Sequence, residues 1–136
     1  MAKFTSIDSV ITVGGVDLSD CIESVQLPEE VDSLDSTNFG SAGVRTYNPG
    51  LRKADVQLGF FQDFSASKTA ATLRPLLGTY AAVVVKPRNT AVSVTNPQYT
   101  CNALVTKYDD LSGNIGQLGK MSLQWPISGA ITVATA

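Results

Sequence analysis

The chain has 136 residues, 43% of them hydrophobic and only 16% charged, which suits one globular domain that buries about two thirds of its unfolded surface. It has two cysteines and no histidine, so Ser-His-Asp and Cys-His catalysis and the usual zinc sites are excluded. The net charge of −2 conceals a split: eight acids and no base lie between Phe4 and Val44, and the remainder carries ten bases against four acids. Such a division points either to a face that meets a complementary surface or to neutralisation between neighbouring strands.

In chain order, Met1–Ser6 has no pattern and reads as an N-terminal arm, without a signal-peptide signature. No apolar run is long enough for a membrane-spanning helix, so no membrane partner is expected. Val10-Ile11-Thr12-Val13 is β-branched, and Gly14-Gly15 supplies a two-residue turn that sends the chain back through Val16. Cys21, Val25 and Leu27 then alternate with polar positions until Pro28, which cannot donate to a sheet ladder. Both cysteines fall in strand patterns and read as buried free thiols.

The next stretch is the unusual one. Glu29 to Asp35 is an acidic strand with no apolar face, so burial in its own core would strip hydration from unpaired carboxylates. A glycine-rich loop follows from Thr37 to Gly50, far longer than the two to five residues of ordinary hairpins. It carries Phe39, Arg45 and Tyr47, residue types that anchor interfaces. The chain returns as a strand from Lys53 to Phe61, with Ala54, Val56, Leu58 and Phe60 on one side.

Ser65–Leu77 is the one helical pattern: Ser65 or Ser67 is placed to cap it, and Ala70, Leu73 and Leu77 form a stripe expected to lie flat on a sheet. Pro75 falls in the last turn and Gly78 ends it. Tyr80–Val85 is a continuous apolar strand that must be covered, Tyr99–Tyr108 alternates, and Lys120–Trp125 sends Met121, Leu123 and Trp125 inward. Ser128–Ala136 reads as a C-terminal arm. The count is seven or eight strands and one helix: a mainly β fold, a β-sandwich or open barrel with one flanking α-helix, in a single domain spanning 1–136.

No chemistry emerges from this pattern. Along a regular strand only Glu29 with Ser33, or Glu30 with Asp32, share a side, which leaves a solvated acidic face rather than a general acid–base pair. Gly40–Gly43 lacks the lysine of a phosphate loop, and the scattered aspartates do not fit a calcium loop. Arg45, Arg52, Lys53, Lys86 and Arg88 could form a basic patch, but the sequence pI near 4.9 opposes a dedicated nucleic-acid binder. No enzyme activity, catalytic residue, metal or cofactor is expected.

The run Val13–Asp20, the Leu27-Pro28-Glu29-Glu30 step, Asn38-Phe39-Gly40 with Arg45 and Pro49-Gly50-Leu51, and Phe60–Phe64 followed by Leu73–Gly78 together resemble the major tail tube protein of long-tailed bacteriophages, in the short form found in actinobacteriophages. The resemblance spans roughly residues 10–125. It implies a virion tail protein that gathers in the host cytoplasm into hexameric rings. Those rings stack into a hollow tube, and each copy gives about four strands to a continuous barrel.

The implied partners are further copies of the chain, the tape measure protein and then genomic DNA in the lumen, the tail terminator and the distal tail proteins. On that reading Glu29, Glu30, Asp32 and Asp35 are candidates to line the lumen, where carboxylates repel phosphate. Phe39, Arg45 and Tyr47 would contact the next ring, and Arg52 and Lys53 would face a neighbour's acids. Another ring-forming component such as a tail terminator, the tube of a phage-derived bacteriocin, and an immunoglobulin-like or capsid-decoration module are the alternatives.

Overall fold

In the computed structural model, which describes residues 3–136, nine strands pair antiparallel throughout. They are β1 (Val10–Val13), β2 (Val16–Asp17), β3 (Ile22–Gln26), β4 (Glu29–Asp35), β5 (Tyr47–Phe61), β6 (Tyr80–Lys86), β7 (Gln98–Leu104), β8 (Lys120–Pro126) and β9 (Thr132–Ala134), with one helix, α1 (Thr69–Leu76). One sheet has the order β2-β1-β6-β7-β9; the other is built on β5, with β3 and β4 along one edge and β8 along the other. This is the mainly β, two-sheet, one-helix architecture expected from the alternation.

The core lies between the sheets and follows the period of two. Val56, Leu58 and Phe60 of β5 and Met121, Leu123 and Trp125 of β8 face Val83 and Val85 of β6 and Cys101 and Ala103 of β7. Trp125 meets the ring of Phe60 at 6.1 Å, and its Nε1 donates to the Lys107 carbonyl at 2.9 Å, which satisfies its one polar atom. The apolar run of β6 is covered by its own domain, since β1 and β7 flank it on both edges. Gly14 and Gly15 both take positive φ at the β1–β2 turn, as its two residues require.

The helix departs from expectation. It begins at Thr69 instead of near Ser65, and neither Ser65 nor Ser67 caps it; Lys68 holds the cap position with no side-chain bond. The cause is Asp63, whose carboxylate accepts from the Ser65 amide and turns the chain first. Thr69 Oγ1 then ties the helix start to the Phe61 carbonyl at 2.9 Å. Only two turns remain, with Leu73 buried, Ala70 half-buried and Leu77 exposed. Leu73 enters the core, and Leu76 packs against it and stands close to Gly14.

The C-terminal arm is also more ordered than its sequence indicates. The Ser128 amide donates to the Asn102 carbonyl, and β9 pairs with the start of β7. Of the N-terminal arm, Met1 and Ala2 lie outside the described residues, and residues 3–6 are exposed without regular structure.

Candidate assembly surface

Between β3 and β4 the chain is interrupted only by Leu27 and Pro28, and both strands pair with β5 in one continuing register. Gln26 opposes Gln57, and Glu29 opposes Ala54. The two strands therefore run end to end as one arm of a single long hairpin. The Asp55 amide bonds the Pro28 carbonyl, so the proline does not break the ladder where it accepts.

The returning strand starts at Tyr47, not at Lys53. Pro49-Gly50, read from sequence as part of a loop, is inside β5, with Pro49 opposite Ser33. The connection that remains, residues 36–46, is ordered. Asn38 caps a short 3-10 helix (Phe39–Ser41) reciprocally with Ser41, and Ala42 and Gly43 then take left-handed conformations. Ser36 and Thr46 close its base through a backbone bond and a hydroxyl contact at 3.0 Å.

β8 ends at Pro126 opposite Asp55, so beyond Ala54 the hairpin has no third strand. The distal half, β4 with residues 47–54 of β5, is a two-stranded ribbon about 25 Å long at about 3.3 Å per residue. Every residue of β4 is exposed, as is Leu51 on β5. The acidic strand is thus kept out of its own core, as its carboxylates demand.

A bulge opposite Asp32 adds one residue to β5, between Arg52 and Pro49, and leaves the alternation of β4 intact. Before it, Glu29 and Val31 lie with Ala54 and Arg52 on the continuation of the core face, while Glu30 lies with Lys53 on the opposite face. Leu51 and Gly50 together oppose Asp32, so Gly50 turns to the outward side with Asp32 and Leu34: a Cβ on Gly50 would stand 3.0 Å from the Asp32 Cβ. Glu30 and Asp32 therefore share a face, as simple alternation along β4 has it, and Glu29 and Asp35 lie on the other. The outward face combines Glu30, Asp32 and Lys53 with Gln57, Ser122 and Gln124.

The charge split is partly settled within the chain. Asp35 pairs with Arg45 at 2.9 Å, Glu23 with Lys120 at 3.4 Å, and Asp20 with Lys68. Each joins the acidic segment to a base outside it, and Glu30 lies opposite Lys53 in the ladder. Hydrogen bonds from Thr37, with help from Arg45, hold the Asp35 carboxyl below its usual value, and the Lys68 hydrogen bond does the same for Asp20. Among the described residues Glu29, Glu30 and Asp32 make no ion pair.

Of the residues singled out from sequence, Phe39, Arg45 and Tyr47 gather at or next to the hairpin tip, all exposed; Arg52 and Lys53 stand on opposite faces at the ribbon's root. What sequence reading missed is the ribbon's apolar content, Val31, Leu34 and Leu51, and an apolar loop at the far end of β5. Among the described residues no cluster of three or more metal-ligating side chains occurs.

The sandwich sends a bare, two-faced hairpin beyond its core, and such a ribbon is marginal without further pairing. No family model matches the chain, and no curated protein does. Solved structures share its fold. A chain in the virion of a native gene transfer agent particle superposes with a TM-score of 0.67 at 13% identity, over 85% of each chain. Another, in the tail of an empty gene transfer agent particle determined by helical refinement with C6 symmetry, gives 0.62 at 14% identity over 85% of this chain and 83% of that one.

Proposed function

We propose that this chain is a structural virion protein of the phage tail, whose copies form six-fold rings stacked into a hollow tube through which DNA leaves the particle. The observation that carries this reading is the projecting ribbon. Its edges and both faces are open, and open edges with exposed apolar residues are satisfied by further strands of the same kind. The fold's occurrence in a C6-symmetric tail supports six copies to a ring. In such a ring the ribbon and the sheet edges meet neighbours, and the closed sheet encloses water as barrels of about 16–18 strands do.

The outward face of the β3–β5–β8 sheet is the proposed channel wall. Of the four candidate carboxylates, Glu30 and Asp32 share that face with glutamine and serine side chains, whereas Glu29 and Asp35 point away from it. Carboxylates and neutral polar groups withhold the cationic contacts that bind phosphate, so DNA slides. Tape measure protein would occupy the channel first, and the terminator and distal tail proteins would close its ends.

Electron microscopy of the purified protein, with sedimentation over a range of concentrations, tests the reading. Annuli and cylinders of uniform width are expected. A lone particle at every concentration refutes it, and rings that never stack favour a terminator instead.

A further inference from the structure

We infer that the connection between β7 and β8 (residues 105–119) is the seat into which the hairpin tip of a second copy, in the next ring, docks. This rests on the tail-tube reading and adds the receiving surface to it. β5 is one uninterrupted strand of 15 residues, about 50 Å long, with the tip at its start and this connection at its end. Both poles display apolar side chains that touch little of their own chain. Phe39 and Val44 do so at the tip, and Leu111, Ile115 and Leu118 at the other pole; Phe39 (108%) and Ile115 (106%) are as open as in an extended peptide.

The receiving loop is held firmly in place. Gln62, the residue after β5, donates from Nε2 to the Asp109 carbonyl at 2.9 Å and accepts from the Ser112 amide at 2.9 Å. Its own amide bonds the Gly119 carbonyl at 2.8 Å. Gly119 sits so close to the Ser112 carbonyl that a Cβ there would stand 2.7 Å from it. One residue thus holds both ends of the segment that presents Leu111, Ile115 and Leu118, its side chain at Asp109 and Ser112 and its main-chain amide at Gly119, which spares docking the entropy of ordering a free loop.

Charge agrees with this pairing. Arg45 is the only charged residue between Ser36 and Thr46, with its side chain 71% exposed despite Asp35. At the opposite pole Asp109 makes no ion pair among the described residues, and Asp110 is shared with Arg74 at 3.1 Å. Two unlike surfaces at opposite ends of one rigid strand make a head-to-tail contact, which repeats without closing and so builds a filament. A tip-to-tip contact would stop at two rings.

The test uses the full chain with Phe39→Cys in one preparation and Ile115→Cys in another, both at fully exposed positions. Native Cys21 and Cys101 are buried and do not interfere. After co-assembly and mild oxidation, disulfide-linked dimers are expected from the mixture and from neither variant alone. Ile115→Asp, with unchanged circular dichroism, is expected to leave rings and abolish tubes. Tubes whose mixture does not link, tubes of normal length from Ile115→Asp, or dimers from Phe39→Cys alone would overturn the docking assignment and leave the tail-tube reading standing. Absence of any ring or tube from the unmodified chain would bring down both.

Discussion

Cys101 shows how far burial can silence a reactive group. Its thiol lies against the Val83 carbonyl at 3.6 Å, and loss of solvent pushes its pKa up to about 11; Cys21 moves the same way, chiefly through burial. Native protein near pH 8 should therefore leave both thiols unmodified by Ellman's reagent within minutes, whereas denatured protein should react at both. Asp35 titrates in the opposite sense. Its folded pKa lies below the ordinary 3.8, so its contribution is fully present above that value and is lost as pH falls through the lowered one. Amide protection at residues 35–46, taken relative to the intrinsic exchange rate at each pH, should fall below about pH 4, and Asp35→Asn should leave the tip weakly protected at every pH. An unchanged tip in acid would contradict the role given to Thr37 and Arg45 in holding that carboxylate.

The hairpin is where sequence and structure part most clearly among the elements. Val56, Leu58, Phe60, Met121, Leu123 and Trp125 were legible because a strand with one buried face alternates, and all six are buried. Pro49-Gly50 was not, because that dipeptide ordinarily marks a turn; here Pro49 sits where the ribbon has no outer neighbour, and Gly50 leaves room for Asp32 and Leu34. The carboxylate faces were legible, since the bulge adds its extra residue to β5 and leaves β4 alternating; what stayed hidden is the parity of β5 before Arg52. The receiving loop carries no periodic signal, and its position depends on Gln62, which only the fold brings near Asp109 and Ser112. Gly50→Val should force that crowding, opening the ribbon at a local cost on the order of 1–3 kcal/mol. Amide protection should fall in 29–35 and 47–54 and persist in β6 and β7; uniform loss would mean that the ribbon and sandwich unfold as one unit.

Across the whole molecule, the residues that build the core and those that build the proposed assembly are almost disjoint. No core residue, full or partial, falls between Glu29 and Ala54. Replacing 29–54 by a two-residue turn should leave thermal stability within a few degrees of the parent, as β3 and β8 still pair with the remaining part of β5, while tubes vanish from negative-stain images. A large fall in melting temperature would show that the ribbon supports the sandwich as well. The continuity of the β3–β4 arm with β5 has a mechanical meaning beyond this separation. A tail that flexes pulls each projecting arm along its own length, and bonds laid across that direction are loaded together, in shear, instead of unzipping one by one. Bending strain is thereby delivered to the joints between rings, which can slip and re-form, before any subunit begins to unravel.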